Sequence, residues 1–258
     1  MQRVLFNSTI FGPIHSRRLG TSLGINLMPN DGKVCSFDCL YCEAGFNAQG
    51  AGTTGLPPRE AVREMLEAKL SAMKEGGEPL DVITFSGNGE PTMHPEFAGI
   101  VDDVIELRDK YFPNVLISVL SNSTRLDRPD VVEALRRVDN NILKLDSGID
   151  ETMRLIDRPN SPDFTVEKVV EETRAFEGDC IIQTMMVRGE YDGKSFDNTT
   201  DREVDALIEA TRRIGPKEVM LYSIDRKTPA ERLQKISREE LERIADRYRA
   251  AGLAVQVS

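Results

Sequence analysis

Three cysteines stand within eight residues of this sequence, in the run Cys35-Ser-Phe-Asp-Cys39-Leu-Tyr-Cys42. The fourth cysteine, Cys180, is far from them, so a pair of disulfides would have to join badly placed partners. Thiolates are also the ligands that proteins use for zinc and for iron–sulfur clusters. We therefore interpret the three cysteines, called the triad below, as metal ligands.

The triad suits an iron–sulfur cluster better than a zinc ion. A structural zinc site normally uses four ligands, and the chain offers only two histidines, His15 and the distant His94, to complete one. A cubane cluster held by three thiolates keeps one iron free of protein, and that iron can take an external chelating ligand. A zinc site and an incidental grouping of cysteines are the alternatives.

A glycine-rich segment, Ser86-Gly-Asn-Gly-Glu-Pro-Thr92, follows the second predicted strand. Gly87 and Gly89 would let the backbone approach a ligand closely, and Glu90 could accept a hydrogen bond from an ammonium group. An ordinary turn from strand to helix is the alternative. Its place one βα unit after the triad favours ligand binding.

Polar residues also end the next two predicted strands. Ser121 and Asn122 follow the third, although both types are common in turns. Lys144 and Asp146 lie two residues apart on the fourth and therefore share a face. Charges on an apolar strand need a partner, which is either the other member of this pair or a bound ligand.

The N-terminal segment carries a basic group, His15, Arg17 and Arg18, shortly before the first predicted strand. Arginine binds carboxylates and phosphates through paired hydrogen bonds. These three residues are our candidate substrate anchor, and a solvated basic turn is the alternative.

The elements that position these residues follow from hydrophobic periodicity. Short β-rich runs alternate with helical patterns, which is typical of parallel βα units. Strands are predicted at 24–28, 82–86, 115–121, 142–146, 181–187 and 219–224, with a short one near the C-terminus. Helices are predicted to begin near Pro58, Pro95, Pro129, Thr165, Asp201 and Ser237. The polar segment 192–201 is predicted to be a loop.

These elements predict an α/β fold, a partial (β/α)6 TIM-like barrel whose functional residues lie at the carboxyl ends of the strands. We expect one domain over residues 1–258, in which 1–22 form a segment near the barrel mouth and 23–258 form the barrel.

Composition narrows the function classes. The net charge of −10 disfavours a broad nucleic-acid surface, so a small-molecule or protein substrate is expected. The sequence contains no apolar stretch of about 18 residues or more, which disfavours secretion and membrane insertion. We expect a cytoplasmic protein with free thiols.

The motif CSFDCLYC resembles the CxxxCxxC motif of the radical S-adenosylmethionine (SAM) superfamily, including the aromatic Tyr41 before the third cysteine. The segments FGPIHSRRLGTSLGINL, SGNGEPT and MLYSIDRKTPAERLQKIS are similar to those of wyosine-synthetase-related members. The resemblance implies one 4Fe-4S cluster on Cys35, Cys39 and Cys42. It also implies reductive cleavage of SAM to a 5′-deoxyadenosyl radical, which abstracts hydrogen from a substrate, with electrons from a flavodoxin- or ferredoxin-type donor.

The same resemblance implies that the SGNGEPT segment binds the amino group of SAM. The residues expected at SAM are Tyr41, Gly87, Asn88, Gly89, Glu90, Ser121, Asn122, Lys144 and Asp146.

The reaction subclass stays open. Wyosine synthetases use a second cluster on additional cysteines, and only Cys180 remains here, so wyosine-type tRNA modification is disfavoured. A glycyl-radical-enzyme activase would need one cluster and fits equally well. An iron–sulfur electron-transfer or sensor protein is the non-enzymatic alternative.

Overall fold

The computed structural model describes residues 3–16 and 18–258. Arg17, one of the three predicted anchor residues, lies outside the described residues. Among the described residues, none of the helices combines the length and the apolar character needed to cross a membrane.

In the described part of the chain, eleven strands form two sheets. They are β1 (Ile10–Ser16), β2 (Gly20–Ile25), β3 (Val82–Phe85), β4 (Leu116–Ser121), β5 (Asn140–Lys144), β6 (Ile181–Met185), β7 (Val187–Tyr191), β8 (Lys194–Asp197), β9 (Glu218–Tyr222), β10 (Leu233–Lys235) and β11 (Val255–Val257). The larger sheet has the order β1-β2-β3-β4-β5-β6-β9-β11, and all its pairs are parallel except β1 with β2. It curls into a half-barrel, which confirms the predicted fold class.

Seven α-helices accompany the strands within residues 3–16 and 18–258. They are α1 (Arg59–Gly76), α2 (Phe97–Tyr111), α3 (Pro129–Arg136), α4 (Asp150–Ile156), α5 (Val166–Thr173), α6 (Asp201–Ile214) and α7 (Arg238–Ala250). All but α4 begin within two residues of a predicted start. The hydroxyls of Thr165, Thr200 and Ser237 accept backbone N–H bonds at the starts of α5, α6 and α7.

The two faces of the curled sheet have different neighbours. Residues such as Ile83, Ile117 and Val119 are completely buried in the main hydrophobic core. Alternate residues point into the barrel lumen, where Ile142, Ile181 and Met220 form a small separate cluster. Leu19, from the turn between β1 and β2, packs on this lumen cluster, so the N-terminal hairpin lies against the inside of the barrel.

The structure corrects the prediction at two hairpins. The segment 192–201 is not a continuous loop, because β8 pairs with β7 and belongs to a three-stranded antiparallel sheet. Asp192 and Gly193 form the turn with φ of 51° and 72°, the conformation that an Asp-Gly hairpin turn requires. The segment before the first parallel strand is likewise a strand, β1, which forms an antiparallel hairpin with β2.

The buried side chain of Asn198 joins these elements. It donates hydrogen bonds to the carbonyls of Asp146 and Met185, each at 2.7 Å, and accepts one from the Val187 N–H at 2.8 Å. Three backbone groups that would otherwise be unpaired are thus satisfied.

Replacing Asn198 by Ala is expected to lower the free energy of unfolding by about 2–3 kcal/mol, because buried backbone groups lose their partners. Asn114→Ala is the matched control at an exposed position, and its effect should stay within about 0.5 kcal/mol. Denaturant unfolding followed by circular dichroism measures both. Equal stabilities of the two variants would contradict this role.

Candidate functional site

A cavity of about 230 Å³ lies at the carboxyl ends of the parallel strands. Cys35, Cys39 and Cys42 border one side of it. The ends of β3 to β6 supply the other side, so the topology alone brings the triad beside the predicted polar residues. The other predicted residues that border this cavity are Tyr41, Gly87, Gly89, Glu90, Ser121, Asn122 and Lys144.

The loop that carries the triad is fixed by backbone hydrogen bonds. The N–H and C=O of Val34 bond to Asn88 and Glu90, each at 3.1 Å, and the N–H of Leu40 bonds to Ile156 at 2.9 Å. The amide of Asn160 donates to the carbonyl of Cys35 at 3.2 Å. The positions of the sulfurs therefore depend on contacts from distant parts of the chain.

Gly87 and Gly89 make the contact between the triad loop and the glycine-rich segment. Their φ values are 144° and 155°, which favour glycine. A Cβ on Gly89 would stand 1.8 Å from the carbonyl oxygen of Val34, and one on Gly87 would stand 2.5 Å from Asn26 Oδ1. We expected these glycines to admit a ligand, but their close neighbours are protein atoms.

Asn88 differs from its predicted role. Its amide donates to the carbonyls of Phe6 and Pro29 at 2.8 Å, and its oxygen accepts from the Phe6 N–H at 2.9 Å. The side chain is fully buried and does not border the cavity. It holds the N-terminal segment against the glycine-rich segment.

Glu90 is the acidic group of the cavity. It is 2% exposed and accepts hydrogen bonds from the Thr92 hydroxyl at 2.6 Å, the Ser121 hydroxyl at 2.9 Å and the Asn122 N–H at 2.7 Å. Burial raises the pKa of Glu90, and these hydrogen bonds oppose the rise by favouring the carboxylate. The amide of Asn122 reaches to 3.6 Å from Cys35 Sγ, which links this group to the triad.

Lys144 is the basic group of the cavity. Its ammonium lies 3.2 Å from Asp146 Oδ2 and donates to the Tyr41 hydroxyl, which in turn donates to Asp146. Burial alone would lower the pKa of Lys144, but the nearby Asp146 carboxylate outweighs it and the pKa is raised. The predicted pair is therefore formed, and because Lys144 also borders the cavity, its contact with a bound ligand stays a prediction.

Asp146 itself lies behind the cavity wall. It is completely buried, and its second oxygen accepts from the Met185 N–H at 2.8 Å. Contact with a ligand in the cavity is left to Lys144 and Tyr41.

Asp157 is a site residue that the sequence does not reveal. It is 1% exposed, and its Oδ1 lies 3.5 Å from Cys39 Sγ and 3.4 Å from the Tyr41 hydroxyl. Burial, followed by the repulsion of Asp146, raises the pKa of Asp157 well above its usual range. Asp157 directly follows the last residue of helix α4, and the hydrophobic pattern does not predict this helix.

The donor set fits an iron–sulfur cluster. Three sulfurs border one cavity, and burial raises the pKa of the Cys35 thiol to about 12 and raises that of the Cys39 thiol well above its usual range. Such thiols become thiolates when a metal binds them. Lys33 is 3% exposed and lies near all three sulfurs. Burial alone would lower the pKa of Lys33, but the negative charges of the three cysteines outweigh burial, and the pKa is raised. Its ammonium would offset part of the negative charge of a thiolate-bound cluster.

Within residues 3–16 and 18–258, no group of three or more cysteine, histidine or carboxylate side chains is arranged so that it could hold a single metal ion. The ring of His94, the distant histidine of the zinc alternative, bonds to the Pro57 carbonyl at 2.9 Å and to the Glu96 N–H at 3.1 Å.

A second cavity of about 510 Å³ adjoins the first and shares Cys42, Ser86 and Gly87 with it. His15 and Arg18 of the N-terminal hairpin border this second cavity, which is called the hairpin chamber below. The structure thus places both described anchor residues next to the triad cavity.

The chain is similar to known proteins over most of its length. The family model described as "Radical SAM superfamily" matches residues 30–199. A UPF0026 protein of Synechocystis sp. is 30% identical over 86% of this chain and 78% of its own length. A protein named GTPase Obg from Brachyspira hyodysenteriae is 29% identical over 96% of this chain. The chain covers 34% of that relative, or about a third of its length.

Solved structures with similar folds include the following two. A radical SAM methyltransferase from Sphaerobacter thermophilus has a TM-score of 0.68, with 17% identity, over 92% of this chain and 65% of its own. TYW1 with a lysine-pyruvate adduct bound has a TM-score of 0.63, with 16% identity, over 90% of this chain and 75% of its own. At these identities the similarity concerns the fold.

Gly89→Ala should destabilise the protein strongly, because a side chain there collides with the Val34 carbonyl as well as straining the backbone. Gly55→Ala is the matched control, since Gly55 also has a positive φ, 71°, but nothing within 4 Å of the added methyl group. We expect a loss of about 1–2 kcal/mol for the control, from backbone strain alone, and at least twice that for Gly89→Ala. Denaturant unfolding decides between them, and similar losses would refute the close contact.

Proposed function

The chain belongs to the radical SAM superfamily, and we propose that it cleaves S-adenosylmethionine reductively and uses the 5′-deoxyadenosyl radical to abstract hydrogen from a substrate. The family uses a 4Fe-4S cluster and SAM. The observation that carries the proposal is the single cavity bordered by Cys35, Cys39 and Cys42 on one side and by Glu90 and Lys144 on the other.

In this proposal the three triad cysteines hold one cluster. Three thiolates leave one iron without a protein ligand, which can bind the amino and carboxylate groups of SAM. When bound and reduced, the cluster supplies the electron that splits the sulfonium C–S bond of SAM into methionine and the radical. Radical SAM enzymes generally need an external one-electron reductant, and we propose a flavodoxin or ferredoxin.

The charges of the cavity support SAM as the second ligand. Glu90 and Lys144 border it with opposite charges, and the methionine part of SAM carries both an ammonium and a carboxylate. Ser121 and Asn122 add a hydroxyl and an amide near the same ligand. We assign Asn88 and Asp146 a positioning role, because their side chains bind protein groups behind the wall.

Two wider features complete the proposal. We propose that residues 1–258 belong to one radical SAM domain. The substrate is a small molecule or a protein rather than a nucleic acid, because the chain has a net charge of −10. Cysteines that form no disulfide and are proposed to hold a cluster also suit the reducing cytoplasm.

Replacing Cys35, Cys39 or Cys42 by Ala should lower 5′-deoxyadenosine formation at least 100-fold, because each variant loses a cluster ligand. Cys180→Ala is the matched control, since Cys180 is fully buried at the start of β6, and it should stay within twofold of the wild type. The measurement is chromatography of 5′-deoxyadenosine after anaerobic reconstitution and reduction with SAM.

Iron and sulfide content are measured on each sample. A wild-type protein that carries four irons per chain but forms no 5′-deoxyadenosine would refute SAM cleavage. Retained turnover in a triad variant would refute the ligand assignment.

A further inference from the structure

The hairpin chamber is placed where a substrate would have to lie. It shares Cys42, Ser86 and Gly87 with the triad cavity, so a molecule inside it borders the proposed SAM site. Its walls are the β1–β2 hairpin, the triad loop and the loop after β9. Its volume of about 510 Å³ is that of a small-molecule site.

Arg18 offers a buried hydrogen-bond donor in this chamber. Its guanidinium carbon lies 4.5 Å from the centre of the Tyr222 ring, which fixes the plane of the group. Its Nη1 is buried and, among the described residues, has no hydrogen-bond partner. Arginine keeps its proton in proteins, so this donor is charged and unsatisfied. Leaving a buried donor unpaired is costly, and pairing with an anionic ligand would recover that cost.

The other charges indicate which anion fits. Besides Arg18, the charged side chains that border the chamber within the described part of the chain are Glu43, Asp225 and Arg226. Arg226 pairs with Glu43 at 2.7 Å, and Lys235 pairs with Asp225 at 2.7 Å. With these two pairs formed, the Arg18 guanidinium is the cationic group of the described walls that keeps a buried donor without a partner, and a carboxylate is an anionic group that would pair with it.

Part of the rim of the chamber is apolar. Val4 and Ile14, which border it, are 46% and 44% exposed and belong to the few large hydrophobic residues at the described surface. Deeper in, the hydroxyls of Ser22 and Thr84 bond to each other at 2.8 Å. The walls therefore combine one cationic donor with apolar contact area near the entrance.

We propose that the hairpin chamber binds a small carboxylic acid with an apolar portion, and that the Arg18 guanidinium binds its carboxylate. That this acid is the substrate of the radical rests on the function proposed above. His15 borders the same chamber, and Arg18 is the anchor that the geometry supports.

The test measures binding without turnover. Isovalerate is titrated against the cluster-loaded, unreduced protein with SAM present, and its dissociation constant is obtained by ligand-observed NMR. We expect binding in the millimolar range, with Arg18→Gln weakening it at least tenfold and Arg18→Lys causing a smaller loss. Arg202→Gln, at an exposed position on α6, is the matched control and should bind as the wild type does.

Three further probes separate the ligand classes. Isovaleramide, which has the same shape without the charge, should bind at least tenfold more weakly than isovalerate. Isobutyl phosphate tests a dianion, and a short peptide with a free C-terminus tests a carboxylate on a macromolecule. Tighter, Arg18-dependent binding of the phosphate or of the peptide would overturn the assignment to a small carboxylic acid.

Failure of this inference can be distinguished from failure of the proposed function. Suppose that the wild type forms 5′-deoxyadenosine but does not bind isovalerate, or that both Arg18 variants bind isovalerate as tightly as the wild type does. The inference is then wrong, and SAM cleavage stands. If isovalerate binds through Arg18 but the loaded wild type never cleaves SAM, the ligand assignment stands and its role as a radical substrate falls. Thermal unfolding of each variant confirms that a loss of binding is not a loss of fold.

Discussion

The backbone of Val34 lies directly against that of Gly89, and the geometry of the site depends on this contact. Hydrogen bonds on both sides of Val34 align the triad loop with the glycine-rich segment, and no side chain fits between them. The contact fixes where the sulfur of Cys35 stands relative to Glu90. A site that must hold a cluster and a second ligand side by side needs such fixed spacing, since small displacements are costly in catalysis.

A network of buried polar and charged side chains lies beside the triad. Asp157 contacts Cys39, Tyr41 contacts Asp157 and Asp146, and Lys144 contacts both Tyr41 and Asp146. Removing one of these side chains would leave its partner buried and unpaired. The free-energy cost of that unpaired group exceeds the net stabilisation that the pair provides. We infer that these residues keep the cavity wall rigid, because each is held by at least two others or by backbone.

Much of this architecture could be predicted from the sequence, because it depends on local patterns. The buried parallel strands are continuous apolar runs, and most helices begin at proline, serine or threonine. The triad and the glycine-rich segment follow consecutive parallel strands, so their neighbourhood follows from topology. The partners of single side chains could not be predicted, because Asp157 and Asn88 act through contacts with residues more than 80 positions away. The β7–β8 hairpin was missed because its Asp-Gly turn lies in a polar segment without clear alternation.

The two cavities share a wall but are built from different parts of the chain. The triad cavity uses the triad loop and the carboxyl ends of β3 to β6, whereas the chamber draws its distinctive side chains from the N-terminal hairpin and the loop after β9. Changes in the hairpin can therefore alter what the chamber accepts while leaving the cluster ligands in place. Such a division would let a lineage of these proteins diversify its substrates through one short antiparallel hairpin, and it offers protein engineers the same route.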